Sequence, residues 1–124
     1  MLSPSRVSVI DDDESVRVAS SSLLRSLGWE VSLYPSAESF LSGDSLEGLA
    51  CIVTDLHMPG MSGLQLQRRV RELKPGLPLI FITAFASDDA RRQALDAGAV
   101  CFLSKPVDGY AVADCLQRIG RNLL

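Results

Sequence analysis

The chain alternates short apolar runs with longer stretches in which apolar residues recur every three or four positions. The short runs predict strands, and the longer stretches predict amphipathic helices. The predicted strands are residues 7–10, 29–34, 50–54, 79–82 and 100–103. The predicted helices cover residues 14–27 and 35–41, the stretch between the turns at 58–63 and 74–76, the stretch from 87 to 98, and residues 108–120. Five strands alternating with five helices are typical of an α/β fold with a parallel sheet.

The helical periodicity also predicts which side chains face the sheet. On the first, third and fifth helices we expect the buried residues to be Val16, Ser20, Leu23, Leu24 and Leu27; Leu66, Val70 and Leu73; and Val112, Leu116 and Ile119. Arg17, Ser21 and Arg25 are expected on the outer face of the first helix, and Gln65, Arg68, Arg69 and Glu72 on that of the third. Ser36 and Ser87 are the expected N-caps of the second and fourth helices.

The length and composition suit one globular domain spanning residues 1–124. Hydrophobic residues make up 47% and charged residues 22% of the chain, and a net charge of −3 offers no general attraction to nucleic acid or to an anionic membrane. No apolar run approaches the roughly 20 residues of a membrane span, and the first six residues do not resemble a signal peptide. We therefore expect a cytoplasmic protein.

Three cysteines occur at positions 51, 101 and 115, without the spacing of a metal site. Cys51 and Cys101 lie inside apolar runs, and Cys115 lies in a helical pattern. Free cysteine often behaves as a small core residue. We expect three reduced, buried and unreactive thiols.

Polar residues stand at the ends of four apolar runs: Asp11 and Asp12 after the first, Asp55 after the third, Thr83 after the fourth and Lys105 after the fifth. The carboxyl ends of parallel strands meet at one edge of a sheet, so these residues are expected to share a pocket. Oxygen ligands favour Mg²⁺ or Mn²⁺ over softer metals. A divalent cation and the lysine together would balance the charge of the three carboxylates.

A metal and a lysine beside a carboxylate can make it a nucleophile for phosphorus, because both stabilise the charge on the transferring phosphoryl oxygens. Asp55 is the candidate nucleophile, since it stands alone at the end of a central-looking strand. Asp11 and Asp12 are adjacent and suited to holding metal. Thr83 precedes the small residue Ala84 and could donate its hydroxyl to a phosphoryl oxygen.

Four segments together carry a family resemblance: VIDDDESVR, VTDLHMPGMSG, LIFITAFAS and GAVCFLSKPV. In this order and spacing the chain resembles a response regulator receiver domain of two-component signalling over essentially its whole length. The resemblance implies a flavodoxin-like (βα)5 fold with strand order 2-1-3-4-5. It also implies a phosphorylatable signalling domain rather than an enzyme, with only slow self-catalysed phosphoryl transfer and autodephosphorylation.

The resemblance assigns roles to particular residues. Asp55 would be the phospho-acceptor, and Mg²⁺ would be held by Asp11, Asp12, Asp55 and the backbone carbonyl of His57. Thr83 and Lys105 would contact the phosphoryl group, the Lys105–Pro106 bond would be cis, and Phe102 would be the aromatic switch residue. Phe85 departs from the small or polar residues common in its loop.

The resemblance also implies partners. A sensor histidine kinase or phosphotransfer protein would donate the phosphoryl group. Apart from the resemblance, phosphorylation is expected to rearrange the face of the fourth helix, fifth strand and fifth helix. This face carries charges of both signs, which predict a homodimer: Arg91, Arg92, Asp96, Asp114 and Arg118. LHMPGMSGLQL and SAESFL are most similar to receivers that precede a LuxR-type helix-turn-helix domain. We therefore expect DNA binding, and with it control of transcription, only through an output domain outside this chain, and no membrane partner.

Other interpretations remain open from the residues alone. Asp11, Asp12 and Asp13 could be a solvated cluster at a helix start. The run Asp11 to Ser15 also fits DxDx[ST], the motif of haloacid-dehalogenase-like phosphohydrolases, in which Asp11 would be the nucleophile and Asp13 the general acid. That alternative leaves Asp55 unexplained. A receiver-like fold that only binds partners is a third possibility, and Phe102 could be an ordinary core residue.

Overall fold

A computed structural model describes residues 6–43, 46–106 and 108–122, without the side chains of the last three. Its strands are β1 (Arg6–Ile10), β2 (Glu30–Tyr34), β3 (Leu49–Thr54), β4 (Leu79–Thr83) and β5 (Cys101–Ser104). Its helices are α1 (Glu14–Ser26), α2 (Ala37–Gly43), α3 (Gly63–Leu73), α4 (Asp88–Asp96) and α5 (Gly109–Asn122). Strands and helices alternate as the periodicity predicts, with bounds that differ by a few residues.

The five strands form one parallel sheet in the order β2-β1-β3-β4-β5. This confirms the predicted flavodoxin-like topology. β3 is the central strand, and β1 and β4 flank it. Within the described ranges no helix has both the length and the apolar character required to cross a bilayer. The assignment of all residues 1–124 to one domain stays a prediction.

Side chains from the two faces of the sheet form two separate hydrophobic clusters. Phe40, Leu66 and Ala94 pack against one face, which places α2, α3 and α4 there. Leu24 and Leu116 pack against the other, which places α1 and α5 there. Because the inner strands β1, β3 and β4 are covered on both faces, most of their residues are apolar.

The predicted caps are confirmed. The backbone N–H of Ser39 donates to Ser36 Oγ at 3.0 Å, and that of Ala90 donates to Ser87 Oγ at 3.1 Å. The α3 helix begins with a reciprocal capping box between Ser62 and Gln65. This box holds the first turn of α3 next to the loop that follows β3.

Three predictions of burial were wrong. Leu73 is 54% exposed and Leu27 is 44% exposed, because both lie at the ends of their helices, where neighbouring elements no longer cover them. Ser21, expected on the outer face of α1, is buried. A serine side chain is small enough to be buried against neighbouring residues without displacing them.

The prediction of three reduced cysteines was wrong for two of them. Cys101 in β5 and Cys115 in α5 are joined by a disulfide bond. Helical and strand periodicity identifies each residue as buried, but it does not show that β5 and α5 cross at this point. Cys51 is a free, buried thiol, as predicted.

Candidate functional site

The five predicted strand-end residues lie at one edge of the sheet. Asp11 and Asp12 follow β1, Asp55 follows β3, Thr83 ends β4 and Lys105 follows β5. Backbone hydrogen bonds continue past the strands here, because Asp55 N–H donates to the Ile10 carbonyl at 3.0 Å and Lys105 N–H donates to the Thr83 carbonyl at 2.8 Å. The pocket is therefore positioned by the sheet itself.

Lys105 joins two of the acids. Its Nζ atom is 2.9 Å from Asp11 Oδ2 and 2.9 Å from Asp55 Oδ2. The side chains are largely withdrawn from water, with exposures of 15% for Lys105, 4% for Asp11 and 8% for Asp55. The ammonium group thus holds the buried carboxylates of β1 and β3 together and offsets their repulsion.

The pKa values of this group reflect competition between burial and pairing. Burial disfavours the charge of Lys105, but hydrogen bonds to Asp55 and Asp11 and the charges of both acids together outweigh it and raise its pKa. Burial raises the pKa of Asp11, and the Asp55 charge adds to this; the hydrogen bond from the Asp13 N–H and the pairing with Lys105 offset only part of the shift. Lys105 therefore stays charged at neutral pH.

The oxygen atoms of Asp11, Asp12 and Asp55 form a group suited to a hard cation. One carboxylate oxygen from each lies within 4.8 Å of the other two. Asp12 is exposed, whereas the other two residues are buried. Carboxylate-only donors with one open side match the preference of Mg²⁺, which keeps several waters and binds few protein ligands. The donor set therefore fits the predicted ion.

Asp13 lies outside this group and caps a helix instead. Its Oδ1 accepts hydrogen bonds from the Ser15 hydroxyl at 2.7 Å and the Ser15 N–H at 2.9 Å. The Ser15 hydroxyl, with the N–H groups of Val16 and Ser15, lowers the pKa of Asp13. Asp13 is thus an exposed acid at a helix start, whereas Asp11 is buried and does not belong to a solvated cluster.

The loop after Asp55 is held by hydrogen bonds. His57 N–H donates to Asp55 Oδ1 at 3.2 Å, and Gly63 N–H donates to the Leu56 carbonyl at 2.9 Å. Gly63 has no room for a side chain, because a Cβ atom there would press on the Asp55 carbonyl oxygen, on Leu56 Cα and on the Phe81 ring. The first turn of α3 therefore lies directly against the end of β3.

Two supporting contacts were not predicted. Arg17, expected on the outer face of α1, donates from Nη1 to the Asp11 carbonyl at 2.6 Å. Glu38 accepts the Met61 N–H at 2.9 Å and so ties α2 to the loop after β3. No sequence pattern around either residue predicts its role, because each one bonds a residue that lies outside its own helix.

The remaining predicted residues lie nearby. Thr83 is fully buried, and its Oγ1 accepts the Phe85 N–H at 3.2 Å. Phe102 is half-buried, with its ring centroid 6.1 Å from that of Phe81, which is a fully buried core residue. The exposed rings of His57 and Phe85 meet edge to face at 6.3 Å. The Lys105–Pro106 peptide bond is cis, as the resemblance implies.

The family of the chain follows from sequence and fold together. The sequence model of the response regulator receiver domain family matches residues 7–117 of this chain. The chain therefore belongs to the response regulator receiver domain family, which is a family of signalling domains rather than of enzymes. This membership excludes the alternative that the chain is a haloacid-dehalogenase-like phosphohydrolase.

Particular relatives agree with this assignment. The chain is 41% identical over 98 residues to the response regulator protein TodT of Pseudomonas putida, covering 79% of this chain and 43% of TodT. It is 35% identical to the transcriptional regulatory protein FixJ of Rhizobium meliloti, covering 95% of this chain and 58% of FixJ. The crystal structure of FixJ-N has 33% identity and a TM-score of 0.85, covering 99% of this chain and 98% of that one. The chain spans about half the length of these two curated relatives.

Proposed function

We propose that Asp55 accepts a phosphoryl group from a histidine kinase or phosphotransfer protein and that Mg²⁺ assists the transfer. The observation that carries this proposal is the placement of Asp55. It lies at the end of the central strand, 2.9 Å from Lys105 Nζ and next to Asp11 and Asp12. Family membership supports the same assignment.

The chemistry assigns a task to each side chain. An Asp55 carboxylate oxygen attacks the phosphorus atom, the bond from phosphorus to the donor's imidazole nitrogen breaks, and the imidazole keeps the electron pair. Asp11, Asp12, Asp55 and the His57 carbonyl would hold Mg²⁺, which neutralises charge on the phosphoryl oxygens. Lys105 and the Thr83 hydroxyl bind the remaining oxygens. Slow hydrolysis of the acyl phosphate by water restores the carboxylate.

Phosphorylation would be communicated through Thr83 and Phe102. Phosphoryl transfer gives the pocket about one additional negative charge and three acceptor oxygens. When the Thr83 hydroxyl turns toward them it gives up the Phe85 N–H, and Phe102, which is only half-buried, moves inward. A packing change of this kind carries a local event to a distant surface.

The surface that changes would be the face of α4, β5 and α5. It presents exposed charges of both signs: Arg91, Arg92, Asp96, Asp114 and Arg118. A symmetric pair of chains can match such charges across a two-fold axis. We expect phosphorylation to promote a homodimer. Because the relative FixJ is a transcriptional regulatory protein, we also expect phosphorylation to control transcription in the cytoplasm through a DNA-binding domain outside this chain.

The test is phosphate uptake from acetyl phosphate, followed by intact-mass spectrometry with and without Mg²⁺. The wild-type chain should gain one phosphoryl group only with Mg²⁺, and Asp55→Asn should gain none. Asp13→Asn is the matched control, because it makes the same change at an exposed cap that asparagine also fills. Equal labelling of Asp55→Asn and wild type would refute the acceptor assignment.

A further inference from the structure

The Cys101–Cys115 disulfide joins the two elements that the proposed switch has to rearrange. Cys101 opens β5 and immediately precedes Phe102, while Cys115 is one residue from Asp114 on α5. The Cα atoms are 6.4 Å apart, within the ordinary range for a bridge and also for two separate thiols packed side by side. The backbone around the pair therefore suits both redox states.

All three cysteines are buried in the same hydrophobic cluster, but Cys101 has a charged neighbour. Arg118 Nη1 is 3.9 Å from Cys101 Sγ, while its Nη2 donates to Asp114 Oδ2, and the Arg118 side chain is 54% exposed. A guanidinium group beside a sulfur favours the thiolate, which is the form that reacts in disulfide exchange. Cys101 is buried but retains 6% exposure, the largest of the three cysteines. Burial raises the pKa of the Cys51 thiol, and among the described residues no guanidinium group lies beside its sulfur.

We propose that Cys101 and Cys115 form a reversible redox site that fastens β5 to α5 when oxidised and releases them when reduced. The co-reactant is a low-molecular-weight disulfide such as glutathione disulfide. The Cys101 thiolate attacks one of its sulfurs and releases one thiol; the Cys115 thiolate then attacks the mixed disulfide and releases the second. Two protein thiols are oxidised and one external disulfide is reduced, and a dithiol reverses the reaction.

The oxidised bond opposes the switch, a consequence that rests on the proposed function. An inward movement of Phe102 displaces β5 relative to α5, and a bond at the preceding residue restricts that displacement. Oxidation therefore holds the face of α4, β5 and α5 in its unphosphorylated arrangement. The phosphorylated chain then dimerises strongly only when the pair is reduced.

The redox site is tested independently of phosphorylation. The full chain is equilibrated in glutathione buffers of increasing disulfide fraction, quenched in denaturant with a thiol-alkylating reagent and weighed by mass spectrometry. We expect three alkyl groups under reducing conditions and one under oxidising conditions, since only Cys51 is free in the disulfide form. Cys51→Ala should keep the difference of two groups, whereas Cys115→Ala should form no internal disulfide and should at most carry one glutathione on Cys101 in oxidising buffer. Three groups in every buffer, or a bond that a dithiol leaves intact in the folded chain, would overturn the proposal.

Thermal unfolding supplies a second measurement that needs no substitution. The bond closes a short loop and restricts the unfolded chain, so the oxidised protein should melt roughly 5 °C or more above the reduced protein. The Cys101→Ala/Cys115→Ala variant should show no difference between the two buffers. Equal melting temperatures for oxidised and reduced wild type would contradict a bond formed in the folded state.

The effect on switching is measured by sedimentation with beryllofluoride, a mimic of the phosphoryl group. We expect the dissociation constant of the dimer to be at least about 5-fold higher for the oxidised chain than for the reduced chain. The double cysteine variant should be insensitive to redox buffer, and Cys51→Ala should respond like wild type. If acetyl phosphate labels Asp55 in both redox states and dimerisation is equal, the proposed effect of the disulfide on the switch is refuted. The proposed function and the redox site are not affected by that result. Absence of labelling in both states would refute the proposed function and leave the alkylation result standing.

Discussion

Replacing Gly63 with alanine tests whether α3 has to lie directly against the strand that carries Asp55. A Cβ atom at this position would be 2.9 Å from a Phe81 ring carbon and 3.0 Å from Leu56 Cα, and nearer still to the Asp55 carbonyl oxygen. Real Cβ atoms essentially never come closer than 3.0 Å to such neighbours. Two of the three atoms belong to the backbone, so no side-chain rotation relieves the contact.

The expected cost follows from two opposing effects. Alanine is favoured over glycine in a helix by about 1 kcal/mol. Overfilling a packed site costs about 1–3 kcal/mol, and the upper end applies where backbone has to move. Moving α3 away also lengthens the hydrogen bond from Gly63 N–H to the Leu56 carbonyl. We expect a net loss of about 2 kcal/mol in the free energy of unfolding, or a fall in Tm of roughly 5–10 °C.

The same displacement should reach the acceptor. The Asp55 carbonyl is the nearest atom to the new methyl group, and a shift of its backbone moves the carboxylate away from Lys105 and from the other acids. Misplacement of a reacting group by about 1 Å can cost a hundredfold in rate. We expect labelling by acetyl phosphate to slow by roughly 10-fold or more.

Gly43 provides a matched control for this substitution. It also lies in a helix, and a Cβ atom there would meet only the Tyr34 ring, at an ordinary 3.6 Å. Gly43→Ala should therefore be neutral or more stable by up to about 1 kcal/mol, with unchanged labelling. Urea denaturation and timed labelling are measured on both variants. Wild-type stability and labelling in Gly63→Ala would show that the close packing of α3 against β3 is not required.

Three further substitutions probe the site and its neighbours. Asp12→Ala should weaken Mg²⁺ binding by about 10-fold or more in calorimetry, because it removes one negative charge beside a divalent cation. The metal-free protein should be as stable as wild type or more stable. Undiminished Mg²⁺ affinity would exclude Asp12 from the metal site. Thr83→Ala should be labelled at Asp55 yet dimerise poorly with beryllofluoride in sedimentation, and normal dimerisation would exclude Thr83 from the switch. Because hydrogen bonds from Ser15 and the start of α1 lower the pKa of Asp13, its stabilising contribution is present above its ordinary value of 3.8 and is lost as the pH falls through the lower folded-state pKa. Urea denaturation from about pH 5 to pH 2 should show this loss in wild type and not in Asp13→Asn; identical acid profiles would contradict it.

The sequence determined the elements and the location of the site because both depend on local patterns. Apolar runs and helical periodicity act within a few residues, and a polar residue that ends a parallel strand is carried to the same sheet edge whichever strand it follows. Asp11, Asp55 and Lys105 were therefore placed together correctly. Their detailed pairing was not predicted, since it depends on side-chain positions across three strands.

Tertiary structure decided the features whose partners are distant along the chain. The buried side chain of Gln67 donates to the Ala94 carbonyl at 3.0 Å and links α3 to α4, although its helix pattern indicates only a polar residue. The bond between Cys101 and Cys115 requires β5 and α5 to cross at those residues, and the exposure of Leu73 depends on where neighbouring elements stop. Periodicity specifies the face of a helix or strand that is buried. Only packing specifies which atoms of another element meet it, because that depends on the relative placement of whole elements.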